Sequence, residues 1–221
     1  MNKEYILNTN TRFSFERPLA YRKSKRVFDV IGSGILLIVL SPLFLLLAVL
    51  IRRDGGKSIY SQVRIGHSGE RFMCYKFRSM VTNSQEMLDE LLETDPEIKR
   101  EWEQHCKLRN DPRITPIGRI LRKTSLDELP QLFNVLCGEM SLVGPRPIVQ
   151  DEMSRYGKKL NIYYSARPGM TGLWQVSGRN DVSYNQRIVL DCEYVRGWGM
   201  WQDILLLFRT VGVVMNPRGA Y

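Results

Sequence analysis

Residues 27–51 read VFDVIGSGILLIVLSPLFLLLAVLI, the one stretch of this chain long and apolar enough to enter a lipid bilayer. About 20 such residues in one helix would cover the hydrocarbon core, so a single spanning helix is one expectation. Pro42 works against it, because proline removes a backbone donor and clashes with the preceding turn, at roughly 3 kcal/mol in a regular helix. Ser41 beside it can bond a freed carbonyl, as Ser and Thr do where membrane helices break. A break there leaves arms of about 14 and 9 residues, about 21 and 14 Å at the helical rise, and neither crosses the membrane. Basic residues flank both ends (Arg22, Lys23, Lys25 and Arg26, then Arg52 and Arg53), whereas a spanning helix concentrates them on its cytoplasmic side. No small-residue cleavage site follows, so the segment is retained rather than removed as a signal. The residues favour a re-entrant hairpin over a spanning helix without excluding the latter. Asp29 is expected near the interface, paired with Lys25 or Arg26.

The remainder reads as one α+β, helix-dominated domain over residues 54–221, after a flexible arm over 1–21 and the membrane segment over 22–53. Ile59, Ser61, Val63 and Ile65 alternate with strand period, Gly66–Gly69 makes a loop, and RFMCYKF returns as the second strand of a hairpin. Asn83 and Glu86 have capping-box spacing before an acidic helix. A further helix starts at Thr94-Asp-Pro-Glu97. Another runs from about Ile117 and is stopped or kinked at Pro130. The last segment, WGMWQDILLLFRTVGVVM, is amphipathic and suits either a core helix or an interface-lying one.

The chain carries 32 Lys and Arg against 23 Asp and Glu, a formal charge of +9, which points to a polyanionic partner. Two histidines and four scattered cysteines leave little for a His-based metal site, a Ser-His-Asp triad or a disulfide framework. Chemistry must therefore run on carboxylates, Lys and Arg. No two aspartates have the Asp-x-Asp spacing. Gly55-Gly-Lys-Ser58 lacks the first glycine of a P-loop. The basic residues are dispersed among Gly-Pro turns rather than set in a stripe, so no nucleic-acid partner is expected.

One acidic pair, Asp127–Glu128, lies just after Arg119, Arg122 and Lys123. Alone it reads as a solvated acidic turn beside basic neighbours. Around it, Gly144, Pro145 and Pro147 stiffen the backbone that presents Arg146. Lys76 and Arg78 stand at a strand end, and Arg167 and Arg179 belong to another Gly/Pro-built loop. Stiffly held cations suit bidentate contact with phosphate, and three such loops with a carboxylate pair fit a phosphoryl-transfer site as well as a solvated turn.

The segments YKFRSM, TSLDELPQLFNVLCGEMSLVGPRP and RPGMTGLWQVSGRND, following an apolar hairpin broken at Ser41-Pro42, resemble the bacterial sugar transferases, the monotopic polyprenyl-phosphate phosphoglycosyl transferases. The resemblance covers about residues 22–221 and is strongest to the galactose-1-phosphate transferases of exopolysaccharide and O-antigen synthesis, down to the final RGAY. It implies a transferase that moves a sugar 1-phosphate from a UDP-sugar to undecaprenyl phosphate and releases UMP. Asp127 would be the nucleophile, Glu128 its partner, and Mg2+ would bind at the pair. Arg146 matches the family's phosphate-binding arginine, and Lys76, Arg122 and Asp191 match other polar positions of the site. The resemblance also implies the re-entrant hairpin, membrane-lipid contact and a catalytic domain on the cytoplasmic face of the bacterial inner membrane. Because few residues precede the hairpin, the chain is expected to be the minimal catalytic unit of the family. A homodimer and downstream glycosyltransferases are partners left open, as is the sugar. The competing reading is a single-pass membrane scaffold of polysaccharide assembly without catalysis.

Overall fold

The computed structural model describes residues 19–105, 108, 110–178, 182–197 and 199–215. Most of the expected N-terminal arm, Arg179 and the closing RGAY lie outside the described residues. The architecture is helix-dominated α+β. Two helices, α1 (Leu19–Val39) and α2 (Ser41–Ile51), form the apolar N-terminal segment. The chain then makes the antiparallel hairpin β1 (Ile59–Ile65) and β2 (Arg71–Phe77) and the acidic helices α3 (Ser84–Thr94) and α4 (Pro96–His105). Next come α5 (Pro116–Thr124), α6 (Gln131–Cys137), β3 (Ser141–Val143), α7 (Met153–Tyr156) and α8 (Leu160–Tyr164). The described chain closes with β4 (Gly169–Thr171), which pairs in parallel with β3, and with α9 (Tyr184–Gly197) and α10 (Met200–Met215).

The break expected at Ser41-Pro42 is present. Pro42 lies in the first turn of α2, where its missing donor costs nothing, and Ser41 Oγ donates to the Ile38 carbonyl at 2.8 Å. No single helix among the described residues is long and apolar enough to cross a membrane, and α1 and α2 are bent by 62° at the break. Val27, Ile31, Ile35, Ile38, Leu45 and Val49 are all exposed along the pair, so this surface has no cover from the described part of the protein.

Asp29 pairs with Lys25, as expected, and the pair is buried inside the protein. Asp29 is 2% exposed and accepts hydrogen bonds from Ser141 Oγ and the Leu142 backbone, both at 3.1 Å. Lys25 Nζ is 3.5 Å from Asp29 but nearer, at 2.8 Å, to the fully buried Asp203 of α10. Arg26 instead donates to the Val135 and Leu136 carbonyls. There it supplies the cation that the C-terminal end of α6 favours. The foot of α1 is therefore anchored in the domain that follows, not merely tethered to it.

Two expectations change in detail. α3 starts after Asn83 as expected, but the Asn83 side chain caps nothing; the cap that forms is that of the next helix, α4, where the Asp95 carboxylate accepts from the Glu97 and Ile98 backbones. The helix expected to run to Pro130 ends at Ser125, which turns left-handed at φ 57°. A single 3-10 turn, Leu126–Glu128, then separates α5 from α6. In α10, both open readings find a face: Asp203 and Leu206 are buried, while Trp201 and Phe208 are 71% and 72% exposed.

The main core gathers Phe72 and Cys74 of β2, Leu132 and Val135 of α6, Met140, Val143 and Ile148, and Tyr194 and Val195 of α9. Asn134, with no exposure, ties α6 to the open edge of β2: its Nδ2 donates to Met73 O at 2.7 Å and its Oδ1 accepts from Tyr75 N at 3.1 Å. The side-chain amide thus pairs as a neighbouring strand would, satisfying a strand edge that would otherwise be open.

Candidate active site

Asp127 and Glu128 ride on the 3-10 turn that Ser125 creates. α5 is started by Thr115, whose Oγ1 accepts from Gly118 N at 3.0 Å, with Pro116 behind it. Gly118 packs so tightly on the Ser79 backbone that a Cβ would collide with it. This contact fixes the axis of α5 against the segment after β2. The helix stops at the left-handed Ser125, a conformation that costs any residue with a side chain of order 1–2 kcal/mol. The reversal carries both carboxylates toward β2.

Lys76 of β2 meets them there. Its Nζ is 2.6 Å from Glu128 Oε1 and 4.0 Å from Asp127 Oδ2. The two acids therefore differ in environment. Lys76 and Arg146 hold Glu128 below the usual carboxylate range despite its burial. Asp127, its side chain 13% exposed, is pushed up to about 6 by burial and by the adjacent Glu128 charge, which Lys76 and Arg122 only partly offset. Like charges side by side cannot both ionise freely in a dry site. Arg122 is anchored by Nε to Ser79 Oγ at 2.9 Å.

A cleft of about 340 Å3 opens beside the pair, lined by Glu128, Lys76, Arg64, Arg146, Gln131 and Gln175 among others. Arg146 follows a clamp of two backbones. Gly144 N donates to Thr171 O and Gly169 N to Pro145 O, both at 2.8 Å. Gly144 and Gly169 approach so closely that a Cβ on either would strike the other's backbone. The Arg146 guanidinium lies 5.5 Å from the centre of the Trp174 ring, and Arg187 of α9 lies 4.2 Å from the same ring. Behind them, Asp191 is 1% exposed and accepts from Tyr156 Oη at 2.7 Å. Burial pushes its carboxyl up to about 7 even with the Tyr156 hydrogen bond and the nearby arginines.

Of the residues expected from sequence, Lys76, Glu128 and Arg146 share one cleft, with Asp127 and Arg122 beside it and Asp191 behind the Arg146 loop. Arg78 is placed elsewhere: its guanidinium pairs with Asp54 at 2.6 Å and donates to the Lys57, Ile51 and Met80 carbonyls, clasping the exit of α2. Arg167 donates to Gly138 O at 2.7 Å and lines a separate cleft with Arg22, Lys25 and His67. Arg179 falls outside the described residues.

Sequence reasoning passed over Arg64, Arg187, Gln131 and Gln175. The hairpin register sets Arg64 opposite Phe72 and Lys76 opposite Tyr60. Period two then puts Arg64, Cys74 and Lys76 on one face, so extending the alternation to Lys76 would have found Arg64. Arg187 stands four residues before Asp191, one helical turn on the same face. The two glutamines left no signal of that kind.

Among the described residues no cluster of three or more His, Cys, Asp or Glu could hold a metal. The dyad alone offers two carboxylates whose mutual repulsion Lys76 leaves partly uncompensated. That donor set suits a cation which takes most of its oxygens from a bound phosphate group, as Mg2+ does, and not one held by protein alone.

Comparison with known proteins gives a consistent result. Residues 20–217 match the family described as bacterial sugar transferase. An undecaprenyl-phosphate galactose phosphotransferase of Salmonella typhimurium is 54% identical, over 98% of this chain and 48% of its own length. A UDP-galactose-lipid carrier transferase of Erwinia amylovora is 55% identical, over 89% of this chain and 41% of its own. The exopolysaccharide production protein ExoY of Rhizobium meliloti is 48% identical, over 90% of this chain and 88% of its own. The chain thus spans about half or less of the first two relatives and most of the third.

Proposed function

The chain belongs to the bacterial sugar transferase family, and from that membership we propose that it moves galactose 1-phosphate from UDP-galactose to undecaprenyl phosphate, releasing UMP. The galactose assignment follows the names of the Salmonella and Erwinia relatives. The observation that carries the chemistry is the unequal treatment of two adjacent carboxylates. Lys76 sits on Glu128 at 2.6 Å and leaves Asp127 at 4.0 Å. The acid with the higher pKa is the better nucleophile once ionised, and near neutral pH Asp127, at about 6, is ionised.

An Asp127 carboxylate oxygen bonds to the sugar-bearing phosphorus. The bond from that phosphorus to the bridging oxygen breaks, and UMP departs with the electron pair. A phosphate oxygen of undecaprenyl phosphate then attacks the same phosphorus, breaking the acyl-phosphate bond and restoring the carboxylate. Lys76, Arg64 and Arg146, all in the cleft, bind and orient the diphosphate and offset the repulsion between it and the attacking anion. Asp191 and Tyr156 buttress the Arg146 loop from behind. Asp127 and Glu128 would hold Mg2+, which supplies charge neutralisation on the diphosphate.

The bent α1–α2 pair serves as a re-entrant anchor on the cytoplasmic face of the membrane. Its exposed apolar surface meets lipid, its flanking cations meet anionic headgroups, and the isoprenoid acceptor is reached without leaving the bilayer. The test is covalent trapping. The full chain in lipid nanodiscs with sugar-labelled UDP-galactose and no acceptor should acquire one phosphosugar, and Asp127→Asn should acquire none. Normal turnover by folded Asp127→Asn would refute the nucleophile.

A further inference from the structure

Gln131 opens α6 three residues after Glu128 and lines the same cleft. It is 2% exposed, yet its side-chain amide makes no hydrogen bond with any described residue. Gln175 lines the cleft as well, on the segment after β4, and its Oε1 is buried without a hydrogen-bond partner. The Gln175 oxygen, buried with nothing to bond, is costly, and native structures rarely keep such a group without a reason. With the unbonded Gln131 amide lining the same cleft, it calls for a ligand that both gives and accepts hydrogen bonds.

The cleft's charged groups suit a different part of that ligand. Arg64, Lys76 and Arg146 match phosphate oxygens, which only accept. A neutral amide offers two donors and an acceptor, the complement of hydroxyl groups. We propose that Gln131 and Gln175 read the sugar hydroxyls of the donor and so set which UDP-sugar is used. This rests on the phosphoglycosyl-transfer reading above. The sugar hangs on the phosphorus that Asp127 attacks, whereas uracil is separated from it by ribose and a second phosphate. An amide one turn beyond the dyad therefore faces the sugar. Site groups built to bond a hydroxyl discriminate strongly against an analogue that places it elsewhere, because the amide is then left unpaired.

The test compares the full chain with Gln131→Leu, Gln131→Met and Gln175→Leu in nanodiscs containing undecaprenyl phosphate. UMP release is followed with UDP-galactose, UDP-glucose and their N-acetylated counterparts. The ratio of kcat/KM between the best and second-best sugar should fall by about tenfold in a Gln131 variant. Inhibition by UMP, which lacks the transferred sugar, should stay as in the wild type. A preserved ratio overturns the proposal, including when every rate falls uniformly, which marks a merely structural role. Weakened UMP inhibition with an unchanged sugar ratio also overturns it and gives the amides to the nucleotide. If thermal unfolding shows that Gln131→Leu does not fold, the ratios of Gln131→Met and Gln175→Leu decide the matter on the same terms. A wild-type chain that releases no UMP from any UDP-sugar overturns the parent reading and this inference together, a result unlike the others.

Discussion

Replacing Asp127 by Asn should stabilise the protein while abolishing its activity. Folding takes this carboxyl from an ordinary 3.8 to about 6, through burial and the Glu128 charge. Its ionised form is therefore less stable in the folded chain than in the unfolded one, by up to about 3 kcal/mol at 1.36 kcal/mol per pH unit. The sign follows from the direction of the shift. Below about pH 4 the acid is protonated in both states and the cost vanishes; above about pH 6 it is ionised in both and the cost is complete. Asn keeps the shape and removes the charge, so at pH 8 the melting temperature of Asp127→Asn should exceed that of the wild type by up to about 6–12 °C, at 2–4 °C per kcal/mol for a chain of this size. At pH 4 the difference should close. Paired thermal unfolding scans at the two pH values, in one detergent, measure it. An Asp127→Asn protein melting at or below the wild type at pH 8 would refute the reasoning that the Asp127 charge is held at a cost to the fold. An equal gain at both pH values would refute the electrostatic cause.

The same ionisation should appear in turnover: UMP release should rise with pH through about 6 and fall about tenfold per unit below it, and a flat profile from pH 5 to 8 would contradict the assignment. Lys25→Met leaves Asp29 and the fully buried Asp203 without their shared cation, and should cost about 3–5 kcal/mol, seen as a much lower melting temperature. Gly169→Ala forces a Cβ into the Gly144 backbone and should displace Arg146, raising KM for the UDP-sugar about tenfold or more while a surface variant such as Lys158→Ala leaves it unchanged. Cysteines placed at the exposed Ser24 and Lys57, on the two flanks of the α1–α2 pair, should be labelled from the same side of the membrane in intact cells; labelling of only one from outside would replace the re-entrant anchor by a spanning one.

Much of the architecture follows from short-range chemistry. The break at Ser41-Pro42 follows from proline's missing donor, and the β1–β2 hairpin from strict alternation around Gly66–Gly69. The dyad stood out only once the stiffly held cations of three loops were set beside it. Sequence reasoning failed where a local preference was overridden. A helix past Leu126 is locally reasonable, but Ser125 turns left-handed at φ 57°, and Pro130 then begins α6 in place of ending α5. Asn83 has the spacing of a cap and caps nothing, because spacing names a partner without fixing the angles that let it bond.

Charge alone did not say which cations face the dyad. Arg78 is one residue on from Phe77 yet clasps Asp54, while Arg64, twelve residues earlier than Lys76, joins it across the hairpin. By itself, then, the sequence determined the Ser41-Pro42 break, the β1–β2 hairpin and the apolar character of residues 27–51, since each depends on residues a few positions apart. Only the tertiary structure decided that Lys76 neutralises Glu128 and leaves Asp127 the less compensated acid, that α1 is anchored through Lys25 and Asp203, and that Gln175 keeps a buried amide oxygen without a partner beside Gln131 in the cleft. Those outcomes depend on distances between groups far apart in the chain, and on burial, which raises the energy of every charge or amide left without a partner.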